Sequence, residues 1–355
     1  MKPRLKVALL FGGRSGEHEV SLRSAVSVAE GLAQRHDVLP LLVEKSGGWR
    51  LQEAGLPRPA GGAAVFLAPS PEDGGRLRRL EDAHELARPD VFFPVLHGTY
   101  GEDGTVQGLF ELAGVPYVGA GVTASAAAMD KAIMKSLFAQ AGLPQVEHRV
   151  LLGRDAAAEA RLVDELGLPL FVKPANLGSS VAVSKVKTRE ALAPALALAF
   201  AYDRKVVVER GHDVREIEVS ILGNDAPLAS LPGEIVPDRE FYDYDSKYAA
   251  DSRTELHIPA RVDPDLREAV RDLGLAAFRA VDAAGYARVD CFLEKATGRL
   301  LLNEINTIPG FTSISMYPKL WEASGVCYPD LLARLIALGL ERHDARARLR
   351  TRYGD

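Results

Sequence analysis

Short apolar runs separated by polar and glycine-rich segments characterise the first third of the chain. Residues 5 to 11 form one apolar run before a glycine-rich turn, and residues 21 to 35 then repeat apolar positions at helical spacing, with Ser21 as the expected N-cap. Three more apolar runs with the length of strands cover residues 38 to 43, 91 to 96 and 115 to 118. This alternation predicts an α/β domain with a parallel sheet.

Two further segments complete this part of the chain. Residues 54 to 79 are rich in Gly, Pro and Ala and lack periodicity, which predicts a surface excursion without regular elements. A single helix is expected from residue 123 to 142. Its buried stripe is predicted to contain Met129, Ile133 and Leu137. Lys131 and Lys135 are expected on another face of that helix.

The middle and the end of the chain continue with mixed patterns. Strands are predicted at residues 146 to 152, 169 to 173, 181 to 186 and 205 to 209, with helices at 155 to 166 and 188 to 201. A further strand begins near residue 215, and a helix at 264 to 284 precedes strands at 287 to 294 and 299 to 306. The last two strands are joined by a Lys-Ala-Thr-Gly turn, which predicts a hairpin. We therefore expect α+β modules after the α/β domain.

Length and composition indicate which classes of protein to consider. The 355 residues are enough for two or three domains. Hydrophobic residues at 47% and charged residues at 26% are typical of globular proteins and argue against the disordered class. A formal net charge of −5 provides no broad positive field, which disfavours nucleic acid and membranes as partners. A small-molecule substrate is the expected partner.

Cysteine usage and the N-terminus indicate the compartment. Cys291 and Cys327 are too few for a disulfide framework or a zinc cluster and suit a reducing environment. The N-terminal apolar run is interrupted by Lys6 and lacks the long apolar region and cleavage site of a signal peptide. The apolar stretch at residues 191 to 202 is shorter than the roughly 20 residues that span a bilayer. We expect a cytoplasmic protein without a transmembrane segment.

The predicted C-terminal hairpin carries side chains that could bind a cation. Its register brings Asp290 within about one position of Glu304 on the opposite strand. Because side chains alternate along a strand, Glu304 and Asn306 share a face, and with Asp290 they offer an all-oxygen ligand set suited to Mg²⁺ or Mn²⁺. Alternatively, Asp290 and Glu304 are polar positions on a solvated strand face.

A loop of small residues between two predicted strands, within residues 171 to 181, has the composition of a phosphate-binding flap. Gly178 allows backbone N–H groups to approach a polyphosphate closely. Ser179 and Ser180 add hydroxyl donors, and Lys173 before the loop supplies positive charge. The loop is not a Walker A motif, because G-x-x-x-x-G-K-[ST] is absent and no helix follows. An ordinary hairpin turn is the alternative interpretation.

Two glutamates and a loop lie between the flap and the hairpin. Glu209 ends a predicted strand and Glu216 begins the next, which suits the adenine amino and ribose hydroxyl groups of a nucleotide, although glutamates at strand ends are also commonly solvated.

Residues 239 to 248 are polar and aromatic without a helix or strand period. They predict a lid in which Lys247 neutralises phosphate while water is excluded, with a plain surface loop as the alternative.

The glycine-rich segment Gly12-Gly13-Arg14-Ser15-Gly16-Glu17 follows a predicted strand and precedes a helix. A dinucleotide-binding turn would have G-x-G-x-x-G and an acidic residue roughly 20 positions downstream. The third glycine is missing and Glu44 lies too far along, so an NAD-dependent oxidoreductase is disfavoured. Glu17 instead lies where a carboxylate can meet a substrate ammonium group at the sheet edge. A helix-capping glutamate is the alternative.

Five groups of residues, taken in order, resemble the D-alanine:D-alanine ligases of the ATP-grasp superfamily. They are Gly12-Gly13-Arg14-Ser15-Gly16-Glu17-His18-Glu19-Val20-Ser21; Leu96-His97-Gly98 with Gly101-Glu102-Asp103-Gly104; Met129-Asp130-Lys131; Tyr242-Asp243-Tyr244 with Lys247-Tyr248; and the segment from Asn303-Glu304-Ile305-Asn306 to Thr312. Their shared order argues against coincidence. Ala182 in the flap departs from the glycine that many relatives carry, which leaves the resemblance intact.

The resemblance implies a fold in three parts. An N-terminal, Rossmann-like parallel-sheet domain (the preATP-grasp domain) would bind substrate at residues 1 to 121. A two-subdomain ATP-grasp fold would follow. Its central subdomain, residues 122 to 211, would contain the phosphate flap. Its C-terminal subdomain, residues 212 to 355, would contain the metal site and the lid loop.

The resemblance also implies an activity. ATP would drive the ligation of two D-alanine molecules to D-alanyl-D-alanine through an acyl phosphate, releasing ADP and phosphate, for peptidoglycan precursor synthesis. Two Mg²⁺ ions, or Mn²⁺, would assist in a cytoplasmic homodimer. The alternatives are a related ligase that makes D-alanyl-D-lactate or D-alanyl-D-serine, and a catalytically silent nucleotide-binding regulator. Tyr248 favours the dipeptide, because relatives that make the lactate ester tend to lack that tyrosine.

Roles for individual residues follow from the same resemblance. The first D-alanine would be bound by Glu17 at its ammonium group and by Arg288 and the Gly310 N–H at its carboxylate and oxyanion. The second-substrate subsite would be lined by His97, Ser315 and Lys247, with Tyr248 and Ser179 linking lid and pocket, and Met316 would also bind substrate. The nucleotide would be bound by Lys131, Lys173, Gly178, Ser179, Ser180, Lys247, Glu209 and Glu216. The metal ligands would be Asp290, Glu304 and Asn306.

Overall fold

The computed structural model of the chain describes residues 4–236, 254–312 and 314–350. Within these ranges the N-terminal sheet has seven strands in the order β6-β5-β4-β3-β2-β1-β7. The strands are β1 (Lys6–Gly12), β2 (Asp37–Val43), β3 (Trp49–Leu51), β4 (Ala63–Leu67), β5 (Leu77–Arg79), β6 (Glu85–Ala87) and β7 (Val91–Pro94). β1 pairs in parallel with both β2 and β7, which makes it a central strand.

Strand β1 is buried on both faces, which explains its continuous apolar run. Leu9 and Phe11 join a core cluster with helix α1 (His18–Ala33). Leu10, on the opposite face, joins a second cluster with helix α2 (Thr105–Ala113). The carboxyl ends of β1 and β7 lie side by side at one edge of this packed sheet. Glu17 and His97 follow shortly after these strand ends.

Helix α1 begins before the predicted N-cap. Ser21 lies inside the helix and is fully buried. Its hydroxyl accepts a hydrogen bond from the Gly12 N–H at 2.8 Å and donates one to the Val95 carbonyl. The predicted capping role was therefore wrong, because Ser21 binds the neighbouring strand and segment rather than its own helix end.

The N-terminal sheet is mixed, whereas a parallel sheet was predicted. Strands β2 to β6 pair antiparallel in succession. The supposed excursion at residues 54 to 79 contains β4 and β5, whose residues Val65, Leu67 and Leu77 are buried. Strands of three to five residues offer too few alternating positions for a periodicity signal. Residues 115 to 118 contribute only an isolated parallel bridge between Phe92 and Tyr117.

The predicted helix at residues 123 to 142 is two helices, α3 (Val122–Met129) and α4 (Lys131–Gln140). Asp130 separates them in an extended conformation, and its side chain accepts hydrogen bonds from the N–H groups of Ala132 and Ile133 at 3.1 Å. This break resets the helix phase. Met134 and Phe138 are consequently buried, whereas the predicted stripe residue Ile133 is 47% exposed.

The central sheet contains four antiparallel strands in the order β10-β9-β11-β8. They are β8 (His148–Leu151), β9 (Leu170–Pro174), β10 (Ser184–Val186) and β11 (Val206–Arg210). Helices α5 (Ala156–Leu166) and α6 (Leu192–Tyr202) supply Leu162 and Leu196 to the core on the apolar face of this sheet. The loop between β9 and β10 is the predicted flap.

The C-terminal sheet follows the order β15-β14-β12-β16-β17, with β13 paired to β12. Its strands are β12 (Val214–Gly223), β13 (Leu228–Ala229), β14 (Gly233–Val236), β15 (Glu255–His257), β16 (Gly285–Glu294) and β17 (Leu300–Asn306). Helix α7 (Pro264–Ala280) covers one face. Helices α8 (Met316–Ala323) and α9 (Tyr328–Ala347) follow, and Leu331 and Leu335 of α9 join the core cluster of α1.

This mixed α/β architecture confirms the predicted fold class. The three sheets follow one another in the order of the three predicted domains, whose boundaries stay a prediction. No single helix in the described ranges is long and apolar enough to cross a membrane. Helices α8 and α9 meet the length and composition criteria only as a pair that bends by 107°.

The return of α9 onto the N-terminal sheet makes a glycine necessary. A Cβ on Gly339 would lie 2.6 Å from the Tyr117 carbonyl oxygen, whereas a Cβ on Gly108 in α2 would meet nothing within 4 Å. Gly339→Ala should therefore lower the free energy of unfolding by about 1 to 3 kcal/mol. The control Gly108→Ala should raise it by about 0.5 to 1 kcal/mol. Thermal unfolding measures both, and a stabilised Gly339→Ala variant would contradict the close approach.

Candidate active site

The hairpin of β16 and β17 brings the predicted cation ligands together. Asp290 is directly opposite Glu304, and Arg288 is opposite Asn306. A bulge follows Asp290, where the register shifts between Asp290 and Cys291. Bulges of this kind re-aim side chains and often adjoin functional sites. The side chains of Asp290 and Glu304 are 14% and 32% exposed, so they are partly shielded and not on a solvated face.

The Arg288 guanidinium lies against two carboxylates on the same face. It donates to both oxygens of Asp290, at 2.7 and 2.6 Å, and lies 3.1 Å from Glu218. Burial opposes the charged form, but Asp290 and Glu218 together raise the pKa of Arg288 above its ordinary value. Arg288 is therefore a charged and rigidly oriented donor. Glu218, opposite Asp290 on β12, was missed because only the pairing of β12 with β16 shows its place.

The oxygen-rich face of the hairpin fits a hard divalent cation bound together with a phosphate ligand. Asp290, Glu304 and Asn306 supply only oxygen donors on the protein side. Across the described ranges, no group of three or more His, Cys, Asp or Glu side chains is arranged to hold a metal. Mg²⁺ commonly takes one or two carboxylates plus substrate phosphates and not a complete protein cage. These residues suit that mode of binding.

A buried ion-pair network lies beneath the flap. Glu209 contacts two ammonium groups, that of Lys173 at 2.6 Å and that of Lys135 at 2.9 Å. Burial alone would raise the pKa of Glu209, but Lys135 and Lys173 lower it to about 2. The side chain of Lys135 is 1% exposed. The sequence pattern missed Lys135 because the break at Asp130 turns it inward.

Several contacts tie down the base of the flap. Lys131 donates to the Leu177 carbonyl at 2.6 Å and lies 3.9 Å from Glu304. The backbone and side-chain amides of Asn176 both donate to one Asp203 oxygen at 2.8 Å. Lys131 therefore connects α4, the flap and the face of the hairpin that carries Glu304. Glu216 lies on β12 beside Phe292 and is partly buried.

Left-handed backbone conformations follow Gly178 in the flap. Ser179, Ser180 and Ala182 have φ values of +48°, +59° and +56°, a region that non-glycine residues seldom adopt. Such conformations turn successive N–H groups toward a common concavity suited to anions. The predicted approach of phosphate to the Gly178 backbone stays a prediction, and Gly178 also lies close to Glu17. A Cβ there would lie 2.8 Å from Glu17 Oε2.

Glu17 and the flap are in direct contact. The Ser179 hydroxyl donates a hydrogen bond to Glu17 Oε1. Glu17 immediately precedes α1, yet its side chain accepts no capping hydrogen bond from that helix, so the capping interpretation is wrong. The Glu17 N–H donates to Ser15 Oγ at 3.1 Å, and Ser15 Oγ donates to the His97 carbonyl at 2.5 Å. These contacts orient the Glu17 carboxylate toward the flap.

His97 links the N-terminal domain to the segment after β17. Its Nδ1 is 2.9 Å from the Ile308 carbonyl, and its Nε2 is 3.2 Å from Ser24 Oγ. Burial lowers the pKa of His97, which favours the neutral ring with Nδ1 as donor. Both ring nitrogens therefore have protein partners. Its role in a second-substrate subsite stays a prediction.

The remaining predicted residues lie around the start of α8. Ser315 Oγ accepts a hydrogen bond from the Thr312 N–H at 3.0 Å, and a Cβ on Gly310 would lie 2.8 Å from the same oxygen. Gly310 and Ser315 are therefore neighbours. Met316 is buried in a small cluster with Ile235 and Leu320. The predicted lid, residues 239 to 248 with Lys247 and Tyr248, lies outside the described residues.

Two family models match the chain in succession. The model described as D-ala D-ala ligase N-terminus matches residues 6–120, and the model described as D-ala D-ala ligase C-terminus matches residues 137–337. The D-alanine–D-alanine ligase of Heliobacterium modesticaldum is 51% identical, covering 96% of each chain. That of Deinococcus radiodurans is 50% identical over 95% of this chain and 98% of its own.

Solved structures agree with these relatives. The D-alanine-D-alanine ligase from Coxiella burnetii has a TM-score of 0.83 at 36% identity, covering 97% of each chain. The VanG D-Ala:D-Ser ligase from Enterococcus faecalis has a TM-score of 0.83 at 32% identity, covering 95% of this chain and 100% of its own. With full-length relatives at about half identity and both family models matched, this chain belongs to the D-alanine–D-alanine ligase family.

Proposed function

We propose that this protein ligates two D-alanine molecules to D-alanyl-D-alanine and converts ATP to ADP and phosphate. The activity named for its relatives supports the proposal. The observation that carries it is the hydrogen bond from Ser179 to Glu17. That bond joins the carboxylate suited to an ammonium group to the flap suited to nucleotide phosphate. An amino acid bound at Glu17 would therefore have its carboxylate near the transferable phosphate.

The first D-alanine would be held at both of its charged ends. Glu17 would bind the ammonium group, and Arg288 with the Gly310 N–H would bind the carboxylate. Attack by a carboxylate oxygen on the terminal phosphorus of ATP forms an acyl phosphate and releases ADP. Because Arg288 is already held by Asp290 and Glu218, it can stabilise the developing charge without reorganising.

The second D-alanine would then complete the reaction. Its ammonium group first loses a proton to solvent, and the free amine attacks the acyl carbon. Phosphate leaves with the bonding electron pair, and the nitrogen loses a second proton as the amide forms. We assign this subsite to His97, Ser315 and Met316. Lys247 and Tyr248 are further predicted members in the lid segment. Excluding water would protect the acyl phosphate from hydrolysis.

The nucleotide would occupy the cleft between the central and C-terminal sheets. Lys131 and Lys173, with the N–H and hydroxyl groups of Gly178, Ser179 and Ser180, would bind its phosphates. Glu209 and Glu216 would contact adenosine. The ion pairs of Glu209 with Lys135 and Lys173 support this assignment, because they hold the Glu209 carboxylate and the Lys173 ammonium group in place before the nucleotide binds.

Asp290, Glu304 and Asn306 would hold Mg²⁺ or Mn²⁺, two ions according to the family resemblance. When bound, the metal would neutralise phosphate oxygens and so make the terminal phosphorus more electrophilic. The product would serve peptidoglycan precursor synthesis. We also propose that the protein works in the cytoplasm as a homodimer.

Product analysis tests the proposed reaction. The protein is incubated with ATP, Mg²⁺ and D-alanine, and ADP, phosphate and dipeptide are quantified by coupled assay and mass spectrometry. We expect one ADP and one phosphate for each D-alanyl-D-alanine, and no dipeptide from L-alanine. Mixtures with D-lactate or D-serine measure the competing products. A preference for D-alanyl-D-serine or the lactate ester, or ADP release without ligation, would contradict the proposal.

Replacing the hairpin carboxylates tests the metal assignment. Asp290→Asn and Glu304→Gln each remove one anionic ligand, so the Mg²⁺ concentration for half-maximal activity should rise by at least about tenfold. Activity is titrated with Mg²⁺ at saturating D-alanine. Glu268→Gln on α7, whose exposed carboxylate pairs with Arg271 of the same helix, is the control and should leave the titration unchanged. Unaltered Mg²⁺ dependence in both hairpin variants would exclude these ligands.

The buried network beneath the flap makes a separate prediction. Glu209→Gln removes the carboxylate that directly contacts two buried ammonium groups and should lower stability by about 3 kcal/mol or more. Lys135→Met should cost less, because Lys173 still pairs with Glu209. The double variant should fall short of the sum of the two effects. Thermal unfolding measures stability, and steady-state assays should show KM for ATP raised with KM for D-alanine little changed.

The exposed pair of Lys45 and Glu19 provides the control for these variants. Lys45→Met should change stability by less than about 1 kcal/mol, because water screens the charges. Strictly additive effects of Lys135→Met and Glu209→Gln, or an unchanged KM for ATP, would show that the network does not support the nucleotide subsite.

A further inference from the structure

A second buried carboxyl group adjoins Glu17. Glu102 follows the tight turn at Gly98 and is buried. Its Oε1 accepts a hydrogen bond from the Gly98 N–H at 2.9 Å. Its Oε2 is buried and has no hydrogen-bond partner among the residues that the structure describes. A buried carboxyl oxygen without a partner is costly, which suggests that another group completes the site.

Glu102 and Glu17 face the same side of the flap. A Cβ on Gly178 would lie 2.8 Å from Glu17 Oε2 and 3.7 Å from Glu102 Oε1. Any side chain at Gly178 would therefore enter the space that both carboxyl groups border. A small cationic group is the chemistry that such a space accepts.

The charged surroundings of Glu102 favour its protonated form. Burial and the nearby Glu17 carboxylate, followed by Glu304, raise the pKa of Glu102 to about 8, although the Gly98 N–H and the Lys131 ammonium act in the opposite direction. Burial and then the nearby Glu102 carboxyl group raise the pKa of the Tyr286 phenol. Two carboxyl groups in one desolvated site seldom ionise together, so one of them keeps its proton near neutral pH.

We propose that Glu102 is the second carboxyl group of the ammonium subsite, protonated in the ligand-free protein and ionised when an amino acid's ammonium group lies between it and Glu17. This proposal rests on the proposed function and specifies the substrate class of its first subsite. The Glu102 O–H bond breaks, its electron pair stays on the carboxylate, and the proton passes to the buffer. Net site charge is −1 before binding and −1 after, since the new carboxylate and the ammonium cancel.

The proposal explains why the first subsite would take amino acids and not hydroxy acids. A hydroxyl group in place of the ammonium brings no positive charge, so Glu102 would keep its proton. The charge-assisted contact with a second carboxylate would then be lost. Binding of D-alanine would also strengthen with pH, by about tenfold per unit below the pKa of Glu102 in the ligand-free protein.

Calorimetry measures the proton directly. The full-length protein is titrated with D-alanine at pH 7 in buffers of different ionisation enthalpy, and the slope of observed heat against that enthalpy counts protons. We expect wild-type protein to release nearly one proton per D-alanine bound. Glu102→Gln should release none and should lose the rise in affinity between pH 6 and 7.5. Its amide oxygen can still accept the Gly98 N–H, which favours an intact fold.

Controls separate this proposal from the proposed reaction. Glu111→Gln alters another partly buried carboxylate, bonded to Tyr117, and should release the same proton as wild type. Binding of D-alanine without proton release by wild type, or equal release by Glu102→Gln, would overturn the role of Glu102 alone. Binding without proton release by wild type overturns the role of Glu102 even if the variant misfolds. Absence of D-alanine binding by wild type would overturn this proposal, whereas the product analysis with ATP and Mg²⁺ decides the proposed function independently.

Discussion

The contact between Ser179 and Glu17 is the interaction on which the candidate site depends. It joins the flap between β9 and β10 to the residue before α1, so parts of the chain from the central and N-terminal sheets both contribute to the candidate site. A carboxylate buried at this junction is costly unless a donor or cation compensates it. The hydroxyl of Ser179 provides one donor, and a bound ammonium group would provide the charge. In the proposed function, this one hydrogen bond connects the phosphate flap to the ammonium subsite.

Paired buried charges give the rest of the site its rigidity. Arg288 is fixed by Asp290 and Glu218, and Glu209 is fixed by two lysines. Each group would be unfavourable alone, because an isolated charge loses its hydration on burial. Together they hold donors and acceptors in place before any ligand arrives, which is the arrangement that electrostatic catalysis requires. Glu102 differs from them because, among the described residues, its buried Oε2 has no hydrogen-bond partner and its carboxyl group has no ion-pair partner.

Errors in the sequence-based predictions share a physical cause. Short strands such as β5 hold one or two residues per face, too few for a periodic signal, yet the sheet stabilises them by pairing on both sides. The break at Asp130 changed which face of α4 is buried, because its side chain caps a new helix where a continuous one was expected. Ser21 was misassigned because its hydroxyl accepts a hydrogen bond from the Gly12 N–H at the end of strand β1. Local patterns contain no information on such partners.

The sequence by itself determined the fold class, the main strands and the family motifs, because alternation and glycine turns are local properties of the chain. It also placed Asp290 within about one position of Glu304, since a short hairpin turn sets register, and the structure places the two residues directly opposite each other. Only the tertiary structure decided that Lys135 is buried against Glu209 and that Glu102 approaches the flap beside Glu17. These contacts join residues far apart in sequence, so they depend on how the three sheets pack and not on any pattern within one segment.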